Sequence, residues 1–182
     1  MKRFGVRVYK QYFNFAASHF LIFSDGGREE LHGHNYHVRV SITGQVGPGD
    51  MVLDFCRLKP VVRRHCDALD HRTLLPLQNE RLSITETDDE HLEVRFSRGE
   101  GGVDRFLFPV RDTLRLPVAN TSTERLAEYL AGRILAEVKR DFSADLERLE
   151  SFEIEVEEAG GQCGVCRLEP IEWDQLPEAP IA

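Results

Sequence analysis

An α+β fold, an antiparallel sheet with two helices on one face, is predicted by three observations. Apolar and polar side chains alternate along residues 4–9, 36–43 and 152–157, as in strands that bury one face. Two other segments repeat their apolar residues at helical spacing: Leu58, Val61, Val62, His65 and Leu69, then Leu126, Leu130, Ile134 and Val138. The resulting order is strand, strand, helix, small strands, helix, strand. A chain of 182 residues, 41% hydrophobic, can bury a substantial core, and a single domain over 1–182 is expected.

Taken in order, Phe4, Val6 and Val8 face one way in the first strand, and Gly5, Arg7 and Tyr9 the other. Aromatic residues Tyr12, Phe13 and Phe15 and the small Ala16-Ala17-Ser18 lead to His19, and residues 24–30 form a loop. Tyr36, Val38, Val40 and Ile42 share one face of the next strand, which ends in the turn Gly44–Asp50. Pro60 fits only the first turn of a helix, so the first helix is placed to begin near Arg57. Ser83–Glu86, Leu92–Ser97 and Arg105–Phe108 read as short strands inside a strand-rich insertion, about 79–117. Thr121-Ser122-Thr123-Glu124 has the capping-box pattern that starts the second helix. The last strand sets Phe152, Ile154 and Val156 against Glu153, Glu155 and Glu157. The tail, about 168–182 with three prolines, is expected to be loosely held.

A formal charge of −8 argues against a broad grip on nucleic acid or anionic lipid. No run approaches the ~18 apolar residues of a membrane span, and Met1-Lys2-Arg3-Phe4 leads into a strand rather than a signal-peptide core. Cys56, Cys66, Cys163 and Cys166 are too scattered for a disulfide scaffold, so a reducing cytoplasm is expected.

The chemistry concentrates at His32-Gly33-His34, whose imidazoles fall on one side of an extended segment. With His19 as third nitrogen the set matches catalytic zinc, three ligands and an open position; His37 has the opposite parity. The alternatives are plain surface polarity and a cupin, although the cupin's following glutamate is missing from Asn35-Tyr36-His37-Val38. Asp70-His71 at a helix end reads either as a proton shuttle or as a helix C-terminal charge interaction. Glu158 continues the inward parity of Phe152, Ile154 and Val156, and a buried carboxylate there needs a ligand rich in N–H donors or a core arginine. Cys163-x-x-Cys166, without a second pair, reads as structural.

Phe15-Ala16-Ala17-Ser18-His19, Leu31-His32-Gly33-His34-Asn35-Tyr36, Val52-Leu53-Asp54-Phe55, Leu69-Asp70-His71, Ser122-Thr123-Glu124 and Glu158, in that order, resemble the 6-pyruvoyl-tetrahydropterin synthase family, which includes 6-carboxytetrahydropterin synthases. The resemblance implies the tunnelling fold, with sheets joined into a barrel in a homohexamer built as a dimer of trimers. It implies Zn2+ held by His19, His32 and His34, a small-molecule pterin anchored by Glu158 with Ser122 and Thr123, and a catalytic Asp70–His71 pair contributed across a subunit boundary. The family's catalytic cysteine is absent from residues 20–31, where Arg28-Glu29-Glu30-Leu31-His32 stands instead. That pattern resembles a subgroup with glutamate in place of the cysteine, which makes Glu29 the expected base and Glu30 its nearest rival. The expected reaction is side-chain cleavage of 7,8-dihydroneopterin triphosphate to 6-hydroxymethyl-7,8-dihydropterin. The alternatives are the 6-pyruvoyl or 6-carboxy reaction, or a non-catalytic protein that binds zinc and pterin.

Overall fold

The structure, a computed structural model, describes residues 2–173. Strand β1 (Phe4–His19) pairs antiparallel with β2 (His32–Gly44), setting His19 opposite His32 and Ala17 opposite His34. The register breaks between Tyr9 and Asn14, which lets one long strand bend over the core. Strand β8 (Leu149–Ala159) adds antiparallel to β2, and β9 (Gln162–Leu168) to β8.

The α+β architecture is as expected, but on the other side of β1 the pairing is parallel, so the main sheet is mixed rather than antiparallel throughout. Helix α1 (Phe55–Leu69) packs along β1, and beyond it the His71 N–H donates to the Ala16 carbonyl at 2.7 Å. The chain enters β3 (Arg72–Pro76) beside Ala17 and continues in the direction of β1. Strands β4 (Leu82–Glu86), β5 (His91–Ser97) and β6 (Val103–Pro109) form a separate antiparallel sheet. Strand β7 (Thr113–Leu116) then pairs parallel with β3, giving the main sheet the order β7-β3-β1-β2-β8-β9.

Helix α1 starts at Phe55, two residues before the predicted Arg57. The Asp54 carboxylate accepts the Cys56 N–H at 2.8 Å and caps the helix there, leaving Pro60 in the second turn. The main core lies between one sheet face (Phe13, Phe15, Val38, Val40, Ile154) and the stripes of α1 and α2 (Thr123–Asp141) predicted by their spacing. A second core joins Phe20, Ile22 and Leu75 to the small sheet through Leu92, Val94 and Phe96.

The predicted capping box does not close at α2. Ser122 is the N-cap and makes no side-chain capping bond; its hydroxyl and the backbone N–H of Glu124 instead hold the Glu124 carboxyl below its ordinary range. A short α3 (Ser143–Leu146) follows α2. A Cβ on Gly164 of β9 would strike Thr123 and the Glu124 nitrogen, so this glycine admits the start of α2. Cys163 and Cys166 both lie on β9, and three strand positions turn them to opposite faces, as a structural rather than chelating CxxC requires. Of the tail, Trp173 is buried, with its Nε1 donating to the Leu168 carbonyl at 3.3 Å; residues 174–182 lie outside the described part.

Candidate metal centre and active site

Where β1 ends and β2 begins, the strand pairing brings His19, His32 and His34 onto the core side of the sheet. One nitrogen from each lies within 4.8 Å of the others. His37 is exposed on the opposite face, as its parity predicts. His19 is fully buried, and its Nδ1 donates to the Thr121 carbonyl at 3.0 Å. His32 Nδ1 donates in the same way to the Glu30 carbonyl at 2.8 Å. A backbone carbonyl at Nδ1 fixes that nitrogen as the donor and leaves the Nε2 lone pair for a metal. His34 Nε2 is buried without a hydrogen-bond partner; a Glu158 oxygen lies 3.1 Å away but misaligned. Burial lowers the His19 pKa to about 4, against the opposing pull of the Thr121 carbonyl, so the ring is neutral at pH 7, as ligation requires. Three imidazoles with an orphaned inward nitrogen fit a metal ion.

Two further residues complete this corner, and sequence reasoning treated neither as part of it. The Tyr36 hydroxyl donates to His19 Nε2 at 3.0 Å, a bond that a metal there would replace, and the ring stacks on Phe15 with centroids 4.7 Å apart. Burial pushes its phenol well above the ordinary range, so it stays a donor. Its shared parity with His32 and His34 was the available signal. Thr121, predicted to belong to a helix cap, is buried instead, and its hydroxyl donates to the Phe20 carbonyl at 3.2 Å. Asn120 bonds both backbone groups of Ile22, so residues 120–121 hold the exit of β1 in place.

The loop after β1 turns back on itself: the Glu29 N–H donates to the Leu21 carbonyl at 2.9 Å and Ile22 bridges to Arg28. Glu29 Oε2 accepts the Leu21 N–H at 3.2 Å and lies 3.9 Å from His32 Nε2, at the rim of the histidine cluster. Glu30 is exposed. Glu158 reaches the cluster from β8, with His34 beside it rather than a core arginine, while Glu157 turns away to bond Arg39 and the Gly161 N–H. Ser122 and Thr123 stand one and two residues from the Thr121 carbonyl that holds His19.

Asp70 and His71 form the predicted pair, Oδ2 to Nδ1 at 3.0 Å, with the other Asp70 oxygen accepting the Ala16 N–H at 2.7 Å. The His71 side chain is 83% exposed and makes no described contact with the three histidines. It lines an open cleft of about 440 Å³ with Ser18, Gly33, His34 and Thr73. Among the described residues, no hydrogen bond or ion pair joins the pair to Glu29. Cys56 lies near the far end of α2 from the histidines: neighbouring Arg57 stacks on Phe142 at the C-terminal end of that helix, whose other end adjoins His19. The 19 residues of α2 span about 28 Å.

Three imidazoles close enough to share one metal ion, with the Glu29 and Glu158 carboxylates beside them, bring metal-ligating and acid–base groups together at one corner of the sheet. The chain belongs to the 6-pyruvoyl tetrahydropterin synthase family, whose match covers residues 7–168 and whose members are lyases acting on pterins. A Methanocaldococcus jannaschii protein, provisionally named 6-carboxy-5,6,7,8-tetrahydropterin synthase, is 31% identical over 84% of this chain and 87% of its own. The 6-pyruvoyltetrahydropterin synthase of Plasmodium vivax superposes with a TM-score of 0.84 at 29% identity, covering 93% of this chain and 99% of that one. Structures of that enzyme with a catalytic glutamate replaced by alanine or cysteine superpose at 0.83. The dihydroneopterin monophosphate aldolase of Pyrococcus furiosus is 46% identical over 46 residues, 25% of this chain and 40% of that protein. No described helix is long and apolar enough to cross a membrane.

Proposed function

We propose that the protein is a zinc-dependent lyase that takes 7,8-dihydroneopterin triphosphate and cleaves its side chain to 6-hydroxymethyl-7,8-dihydropterin. The observation that carries this reading is Glu29, a carboxylate tied to Leu21 at the rim of the histidine cluster, where the loop from 20 to 31 contains no thiol. A catalytic glutamate in the P. vivax enzyme and the aldolase name of the P. furiosus relative support it.

His19, His32 and His34 would hold the zinc, which as a Lewis acid would lower the pKa of the vicinal side-chain hydroxyls. Glu158 accepts hydrogen bonds from the amino and ring N–H donors of the pterin, with Ser122 and Thr123 alongside. Glu29 takes the proton of the hydroxyl farther from the ring. The bond between the two hydroxyl-bearing carbons then breaks, the phosphorylated fragment leaves as an aldehyde, and the carbon left on the ring accepts a proton. Asp70–His71 supplies that proton, from a second copy of the chain as the family resemblance implies. A barrel-forming hexamer would bring the two together.

Product analysis after incubation with zinc and dihydroneopterin triphosphate tests the reading. 6-Hydroxymethyl-7,8-dihydropterin supports it. A 6-pyruvoyl product favours the second reading, for which the near full-length match to the P. vivax enzyme speaks, and a 6-carboxy product the third. No product from zinc-loaded protein leaves a binding role. Glu29→Gln should keep zinc and substrate yet lose ~10²–10⁴-fold in turnover, because an amide cannot take the proton. Glu30→Gln should be mild.

A further inference from the structure

We infer that Arg28 is the positioning residue for Glu29, and that the small sheet β4–β5–β6 holds it through Asp104. The inference rests on Glu29 being the base. All three guanidinium nitrogens are engaged. Arg28 Nε and Nη2 lie 3.0 and 2.9 Å from one oxygen of Asp104 on β6, while Nη1 donates to the Glu29 carbonyl at 2.7 Å. The guanidinium also sits 4.8, 5.5 and 5.8 Å from the ring centroids of Phe106, Phe20 and Phe96. Phe20 directly follows His19 and stacks on Phe106, so the metal-side strand and the small sheet grip the same cation. Arg28 and Asp104 are only 18% and 23% exposed, so breaking either partner leaves a largely desolvated charge.

The Glu29 backbone is therefore pinned at both ends, its N–H by Leu21 and its carbonyl by Arg28. A glutamate reaches its proton through three side-chain torsions where a cysteine uses one. Its carboxylate stays at one position only if the backbone beneath it is fixed and one oxygen is bonded, here by the Leu21 N–H. Lysine cannot replace the arginine: an ammonium lacks the planar fork that reaches Asp104 and the Glu29 carbonyl together.

Asp104→Asn and Arg28→Lys are the test variants; the second keeps a cation among the rings if the first proves poorly folded. Hydrogen exchange of zinc-loaded protein should show the Leu21 and Glu29 amides losing about 10-fold or more of their protection, with α1 and α2 unchanged. Turnover should fall about 10- to 100-fold with KM and zinc content preserved. Combining Asp104→Asn with Glu29→Gln should cost no more than Glu29→Gln alone. Arg98→Gln, which removes only the 3.2 Å contact to the other Asp104 oxygen, should leave turnover intact. Unchanged protection in both latch variants overturns the inference. Lost protection with unchanged turnover likewise overturns the positioning role, whereas full turnover in Glu29→Gln overturns Glu29 as the base and leaves the latch a structural contact.

Discussion

Acidifying the metal-free protein probes the burial of His19. At neutral pH the ring donates through Nδ1 to Thr121 and accepts the Tyr36 hydroxyl at Nε2. Charging it puts a positive ring, itself fully removed from water, beside His32 and His34. Burial accordingly lowers its pKa to about 4, whereas in the unfolded chain it titrates near 6.5. Between those values the unfolded state binds the extra proton and the folded state does not, so stability falls as pH drops from 6.5 to 4. At about 1.36 kcal/mol per pH unit this window is worth about 3 kcal/mol, a large share of the typical ~5–15 kcal/mol. Urea unfolding of chelator-treated wild type and His19→Gln, at pH 7 and 4.5 and one protein concentration, isolates the contribution. Glutamine keeps one donor and one acceptor but does not titrate. The wild type should therefore lose up to about 3 kcal/mol relative to the variant on acidification. Parallel losses in both proteins would refute the linkage.

Metal analysis should find about one zinc per chain, lost in His19→Ala, His32→Ala and His34→Ala but kept in His37→Ala, whose ring is on the other face. Glu158→Gln should weaken substrate binding by roughly 10- to 150-fold, measured by titration, and Glu157→Gln far less because that carboxylate pairs with Arg39. Burial pushes the Asp70 carboxyl up, but the Ala16 N–H and His71 outweigh it and hold the pKa below the ordinary value. Its stabilisation is present above the ordinary aspartate range and disappears as pH falls through the lower folded value. Asp70→Asn should thus cost about 1.5–3 kcal/mol in melts at pH 7, and the cost should shrink as pH falls below the ordinary aspartate range. Cys56→Ala should leave turnover intact, given the length of α2 between it and the histidines.

Side-chain parity made the centre of the site readable. His32, His34 and Tyr36 alternate with Gly33 and Asn35, and His19 pairs opposite His32 because small residues lead up to it. The same parity put Glu158 inside and Glu157 outside, since a strand that buries Phe152, Ile154 and Val156 has no freedom to reassign the next position. What parity cannot report is a bond between distant segments. Nothing near His19 announces that the Thr121 carbonyl, 102 positions on, receives its Nδ1 proton. The Ser/Thr-x-x-Glu pattern pointed instead to a capping role that Thr121 does not take. The parallel pairing of β3 was hidden for a related reason: it follows from where α1 ends, and the Ala16–His71 bond that sets this has no local signature.

The insertion shows how a locally illegible segment gains meaning once its contacts are known. From sequence, residues 79–117 were three short strands between helices, with nothing to say which faces were buried or against what. In the structure, Leu92, Val94 and Phe96 close over Phe20 and Ile22, the two buried residues just beyond the metal-side strand. If Glu29 is the base, the loop carrying its long, flexible side chain needs rigid support, and the main sheet offers only its end at that point. The second core supplies a wall there, and Asp104 sits on it where Arg28 can reach. On that reading the glutamate in the loop and the sheet beside it are two parts of one device: a cysteine in place of the glutamate would need no such latch, and without the sheet Arg28 would lose Asp104, its carboxylate partner.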